Sequence, residues 1–294
     1  MKYSTIAVIY NPNSTGSSEA LAHKFKTQVQ ARVPGQEITL IETDHAGHGE
    51  ELAYKIACES KNPLIISSSG DGGYNDVVNG AMRAQRGGAR PTTGLLPAGN
   101  ANDHYHNLHN KDIVEQIVNG ESTKIDVLKI SGISDGKQIE KYAHSYIGFG
   151  LTPIVGNELN KRKLNFINEV FIVAKSLITI KPVRLKIGKK PHAYESVIFS
   201  NVDVMSKYLK ISQPSSMTDG KFEVTIFKRR NKLRLILILL EASFKGVKED
   251  AQVSEFRLTT VRKTLVQADG EILTLDAESN VHITIEQQAL ASII

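Results

Sequence analysis

Apolar positions in the first part of the chain follow two alternating rhythms. Short apolar runs at residues 6–10, 37–42, 63–68 and 93–97 have the length and branching of strands. Between them, residues 17–30, 49–60 and 75–85 carry apolar side chains at helical spacing: Leu21, Phe25 and Val29 stand four apart, and Val77, Val78, Ala81 and Met82 share a face. Residues 112–119 read as one more helix. Strands separated by helices of this length predict a parallel sheet covered on both faces, with ligands at the carboxyl ends of its strands.

From about residue 125 the rhythm changes. Residues 127–130, 143–147, 183–187, 196–202, 222–227, 257–267 and 282–285 read as strands joined mostly by turns, with helical stretches at 164–178 and 231–244. This predicts a mostly antiparallel second half, a β-sandwich or curled sheet. The expected organisation is a Rossmann-like α/β domain over 1–125 and a β-rich domain over 126–294, whose last residues are free to return to the first domain.

Composition narrows the reading only a little. The 294 residues exceed one ordinary core, and 40% hydrophobic with 23% charged residues is globular. A net charge of +5 suits an anionic partner such as a nucleotide or acidic lipid and is too small to hold nucleic acid by itself. The only cysteine, Cys58, rules out an intramolecular disulfide and fits a reducing compartment. The longest apolar run, residues 235–240, is too short to span a bilayer, and the N-terminus lacks a signal-peptide pattern. The expected location is the cytoplasm.

Candidate chemistry collects after the strands. Residues 67–80, SSSGDGGYNDVVNG, pass from an apolar strand into a glycine-rich, acidic turn and then a helix. The pattern is neither the dinucleotide fingerprint, because Asn75 holds its last glycine position, nor a P-loop, because no Gly-Lys precedes Ser or Thr. Gly99, Asn100, Asn102 and Asp103 follow the next strand, and Asn11, Ser14 and Gly16 follow the first. Right-handed crossovers bring these loops to one sheet edge. Backbone N–H groups there suit phosphates, and carboxylates suit Mg²⁺, which resolves the apparent repulsion between Asp71 and a phosphate. Taken singly, each loop also reads as an ordinary turn, with Asp71 or Asn75 capping the next helix. Residues 132–136 match the G-x-S-x-G nucleophile elbow, yet their setting predicts a hairpin.

Residues 69–80 resemble the GGDGT-x-NE-x-x-NG signature of the diacylglycerol kinase catalytic family, which includes bacterial lipid kinases and is related to the NAD kinases. Residues 97–103 resemble its P-x-GT-x-ND, Asn11-Pro12 with Ser14 and Gly16 its NP-x-SG, and Ile125-Asp126 the ID opening its second domain. Thr218-Asp219-Gly220 resembles its DG turn, and Asp269-Gly270-Glu271 its late DGE. The resemblance implies an ATP- and Mg²⁺-dependent lipid kinase acting on diacylglycerol or a related lipid alcohol. It implies nucleotide-binding roles for Asn11, Ser14, Gly70, Asp71, Gly72, Gly73, Asn75, Gly99, Asn100, Asn102 and Asp103. It also implies metal roles for Asp71, Asp103, Asp126 and Asp219, and catalytic roles for Asp71 and Glu271, the latter accepting the hydroxyl proton. From local sequence alone, Glu271 reads as a strand residue after an Asp-Gly turn.

The chain departs from the family pattern at Ser69 for glycine, at Gly73 and Asn100 for threonine, and at His104 and His106 after the ND pair. A soluble phosphotransferase of the NAD-kinase type, or a nucleotide- or lipid-binding relative without turnover, are the alternatives. Two basic clusters beside apolar helical stretches, Lys161–Lys163 and Lys228–Arg234, suit an anionic membrane surface at the inner face. No nucleic-acid partner is expected, and a homodimer is left open.

Overall fold

The computed structural model describes residues 3–14, 16–100, 102–108, 111–154, 181–205, 209–212, 215–229 and 246–294. The helices expected at 164–178 and 231–244, the basic segment 161–163 and residues 230–234 of the second basic cluster lie outside them. The chain divides into one unit of Met1–Asp126 with Gln288–Ile294 and a second of Val127–Gln287.

The first unit alternates β1 (Thr5–Tyr10), α1 (Ser18–Arg32), β2 (Ile38–Glu42), α2 (His48–Glu59), β3 (Pro63–Ser69), α3 (Asp71–Gln85) and β4 (Thr92–Pro97), followed by α4 (Asp103–Leu108) and α5 (Ile113–Asn119). The sheet runs β2-β1-β3-β4, all parallel. Strand alternation explains its two cores. Ile6, Val8, Leu64 and Ile66 face Phe25, Val29 and Ile117 on one side, and Ile9 and Ile65 face Ala53, Ala57 and Val77 on the other. Each fully buried Val, Leu, Ile or Phe among them contributes about 1.5–3 kcal/mol. Gly80 is needed where α2 and α3 approach closely, since a Cβ there would lie 2.8 Å from that of Ala53.

The second unit is antiparallel. It comprises most of β5 (Thr123–Ser134), then β6 (Lys137–Ala143), β7 (Tyr146–Gly150), β8 (Val183–Ile187), β9 (Lys190–Ser200), β10 (Val204–Met205), β11 (Leu209–Lys210), β12 (Phe222–Lys228), β13 (Ala251–Val253), β14 (Glu255–Thr260), β15 (Thr264–Ala268), β16 (Glu271–Leu275) and the start of β17 (Asn280–Ser292). Its main path runs β16-β15-β7-β9-β8-β14-β17. Phe149, Phe199 and Phe222 meet edge-on in its core, with centroids 6.2 and 6.0 Å apart. The end of β17 pairs parallel with β4 in the first unit, Ala291 opposite Thr92.

Several expected boundaries are corrected. The strand expected at 143–147 is broken, because β6 ends at Ala143 and β7 starts at Tyr146. The Asp269 carboxylate accepts N–H bonds from His144, Ser145 and Tyr146 and takes those groups out of the ladder. The expected strand at 257–267 is two, with a turn over 261–263. Residues 132–136 do form a hairpin, with Ser134 opposite Lys137. Among the described residues no helix is long and apolar enough to cross a membrane.

Candidate active site

The loops after β1, β3 and β4 lie together at the carboxyl edge of the parallel sheet. Ser14 Oγ and Gly16 N both donate to the Ala98 carbonyl, at 2.6 and 2.8 Å. The loops after β3 and β4 touch backbone to backbone, since a Cβ on Gly70 would lie 2.9 Å from the Gly99 Cα. Only glycine permits that approach. Asn102, in a left-handed conformation at φ 53°, closes the β4 loop: its Oδ1 accepts from Gly99 N at 2.9 Å and its Nδ2 donates to Gly99 O at 3.0 Å. Asn11 makes a similar local turn, its Oδ1 accepting from Asn13 N at 2.9 Å. The amides of Asn11 and Asn102 therefore shape the loops, and Asn100 stands half-buried between Gly99 and Asn102.

The glycine-rich segment is not a turn before the helix. It is the first turn of α3, with Gly70 as N-cap and no side-chain cap. The Asp71 Oδ1 accepts from His104 N at 3.2 Å, which ties the start of α3 to α4. The N–H groups of Gly72 and Gly73 precede the first intrahelical bond, which Tyr74 N makes to Gly70 O at 3.1 Å. An uncapped N-terminus with small residues attracts anions. Deeper in α3, Asn75 is buried, and its carbonyl accepts from Asn79 Nδ2 at 2.9 Å.

Two departures from the family pattern turn out to be one. A Cβ at Gly73 would lie 2.7 Å from the Ser69 Cβ. Ser69 Oγ in turn pairs with Ser67 Oγ at 2.7 Å. The side chain at 69 thus occupies the room a side chain at 73 would need, and the run Ser67-Ser68-Ser69 was the sequence signal of this buried hydroxyl pair. Gly73→Thr alone is expected to destabilise by about 1–3 kcal/mol, as over-packing does. The double variant S69G/G73T should recover most of that loss, which a double-mutant cycle by urea unfolding measures.

Asp103 opens α4 and is 3% exposed, and Asp126 on β5 is fully buried, its Oδ1 accepting from Gln288 N at 2.7 Å. Gln288 has φ 46°, so this bond holds a backbone conformation that glutamine seldom adopts. Among the described residues no three His, Cys, Asp or Glu side chains form a ready ligand cluster.

In the second unit Glu271 starts β16 directly after the Asp269-Gly270 turn and is partly exposed, with Lys141 Nζ 3.2 Å from its Oε2. Beneath it Asp269 is buried with His144, whose Nε2 lies 3.2 Å away. Burial pushes the Asp269 carboxyl up to about 7, against the three backbone N–H bonds that favour its charged form. Sequence reading passed over Asp269, His144 and Lys141, although Asp269 stands inside the DGE motif.

Asp219 is exposed and closes its own turn, with Oδ1 accepting from Lys221 N at 3.0 Å. Gln252 Nε2 bridges it to Glu223, at 3.4 and 3.2 Å, beside a cavity of about 560 Å³ lined also by Gly220 and Gln287. Glu223 is 4% exposed, its Oε2 has no partner among the described residues, and burial raises its carboxyl to about 7. The folded state therefore keeps a proton that the unfolded chain releases, and stability falls as pH rises from about 4.5 to 7. Glu223→Gln should remove this residue's share of the fall, about 2 kcal/mol once water at the cavity is allowed for, and leave the share that Asp269 contributes. Thermal melts across that range without divalent cations measure it.

Comparison with known proteins identifies this arrangement. Residues 5–130, which hold the loops after β1, β3 and β4 and Asp126, match the Diacylglycerol kinase catalytic domain family. Over those residues the chain is similar to that family's catalytic domain. A diacylglycerol kinase of Bacillus subtilis (strain 168) is 24% identical over 243 residues, 79% of this chain and 76% of the relative. One from Staphylococcus carnosus (strain TM300) is 26% identical over 249 residues, 80% and 76% of the two chains. The solved structure of a diacylglycerol kinase from Bacillus anthracis str. Sterne superposes with TM-score 0.70 at 18% identity, covering 100% of this chain and 97% of that one. Another chain of that organism gives TM-score 0.74 at 17% identity, covering 100% and 98%. At those identities the structures establish the fold: a parallel α/β region followed by mostly antiparallel strands.

Proposed function

We propose that the protein transfers the γ-phosphoryl group of ATP to the hydroxyl of diacylglycerol or a related lipid alcohol, with Mg²⁺, at the inner face of the membrane. The observation that carries this reading is the uncapped α3 N-terminus beside the Gly70–Gly99 contact, with Asp71 at its first position. Small residues leave the N–H groups of Gly72 and Gly73 open to phosphate oxygens.

The donor set fits a magnesium nucleotide. Asp71, Asp103 and Asp126 are hard oxygen donors in the first unit, and the scarcity of preassembled side-chain ligands suits an ion that takes several from phosphates and water. When bound, the metal offsets charge developing on the transferring phosphoryl group. Asp71 would serve that ion while its other oxygen holds His104 N, which fixes the carboxylate. Glu271 would accept the proton of the attacking hydroxyl, which is a poor nucleophile near neutral pH. Its Oε1 would take the proton while Lys141 Nζ lies 3.2 Å from Oε2. Asp269 positions Glu271 by anchoring the turn that precedes it.

Incubation with γ-labelled ATP, Mg²⁺ and a bacterial lipid extract, with NAD in a parallel tube, tests the acceptor class. Label in the lipid phase supports the proposal. Label only with NAD would move the activity to the soluble, NAD-kinase type.

A further inference from the structure

The β8–β9 hairpin of the second unit is strongly basic. Residues 181–190 contain Lys181, Arg184, Lys186, Lys189 and Lys190, and no acid occurs between 181 and 194. All of these cations are exposed, and no ion pair to a described acid involves any of them. Register explains the display. Arg184 and Lys186 lie two apart on β8, opposite Ala193 and Pro191, so they share the outward face, while Leu185 between them is buried in the core. Pairing of β8 with β14 reaches only Lys186, opposite Thr259, so Ile187–Lys190 forms a free tip. The tip turns at Gly188, φ 77°, where no described atom lies within 4 Å of the place a Cβ would take.

We propose that this hairpin is a docking surface for anionic phospholipid headgroups, additional in sequence to the basic segments at 161–163 and 228–234. The inference rests on the lipid-acceptor reading for its choice of partner. Charge complementarity carries it: five cations with no neighbouring acid meet a surface of phosphodiesters, and each adds about fivefold to binding near such a surface. Exposed cations on a strand and its adjoining turn can meet the headgroups of a planar surface together.

The full-length protein should sediment with vesicles of phosphatidylcholine containing phosphatidylglycerol and not with phosphatidylcholine alone, and salt should weaken the binding. The variant K186Q/K189Q/K190Q should bind about 100-fold more weakly, with K189E/K190E at the turn behaving alike. Size-exclusion profiles of the variants should stay unchanged. Unaltered vesicle affinity in both variants, or aggregation as their only change, would overturn the proposal, as would wild-type protein that ignores anionic vesicles. Equal hairpin-dependent affinity for duplex RNA would overturn its choice of partner. Transfer to a short-chain acceptor dispersed below its aggregation concentration should be the same in wild type and variants. Hairpin-dependent vesicle binding without any lipid phosphorylation would leave the docking surface standing and sink the kinase reading, so the two failures are told apart.

Discussion

Asp71→Asn is expected to lower phosphoryl transfer about 100- to 1000-fold, the range seen when one preorganised charge-stabilising group is removed. The fold should survive. Asparagine keeps an oxygen that can accept from His104 N, and residue 71 lies at a helix start, so the change in stability should stay below about 1 kcal/mol, mostly the lost carboxylate–dipole attraction. Steady-state kinetics beside a urea unfolding curve separates the two effects. Full activity in this variant would remove Asp71 from the mechanism. Unfolding in step with the loss of activity would make its role structural.

Glu271→Gln should be of similar size and of different kind. Loss of a positioned base lowers turnover about 100- to 10,000-fold. The loops proposed to hold ATP belong to the first unit and Glu271 to the second, so the dissociation constant for ATP should not change. Lys141 complicates the expectation usefully: its Nζ is 3.2 Å from Glu271 Oε2, and glutamine can still accept from it through its amide oxygen. A fall in kcat with unchanged ATP affinity and an unchanged melting temperature is therefore the signature of a base. Loss of ATP binding in E271Q would contradict that assignment.

Much of this was legible because the parallel sheet writes itself in long apolar runs. β3 is buried along its whole length, so its run of apolar and small residues survived any choice of face. The clustering of loops followed from crossover handedness alone. Less legible were features set by contacts distant in sequence. The glycines after β3 read as a turn because glycine disfavours helix interiors, yet in a first turn no earlier partner is needed and small size matters more. The break between β6 and β7 is made by Asp269, more than a hundred residues later, and nothing local announces it. Asn102 reads as a ligand group from its motif alone, and that its amide also closes the loop on Gly99 is not legible there. Ser69 and Gly73 looked like two losses from the family pattern, and their shared space makes them one exchange. The turn at 261–263 carries Val, Arg and Lys, without the glycine or proline that marks most turns, and so was hidden in an apparently continuous strand.

The central claim is that this chain moves a phosphoryl group from ATP onto a lipid hydroxyl. The most direct measurement uses a single defined acceptor: purified protein, Mg²⁺, γ-labelled ATP and diacylglycerol in mixed micelles, with the product separated by chromatography and weighed by mass spectrometry. The account predicts labelled phosphatidic acid formed in step with ATP consumption, and at least about 100-fold slower formation with D71N or E271Q. Label found only in inorganic phosphate, or transfer that persists undiminished in both variants, would contradict it.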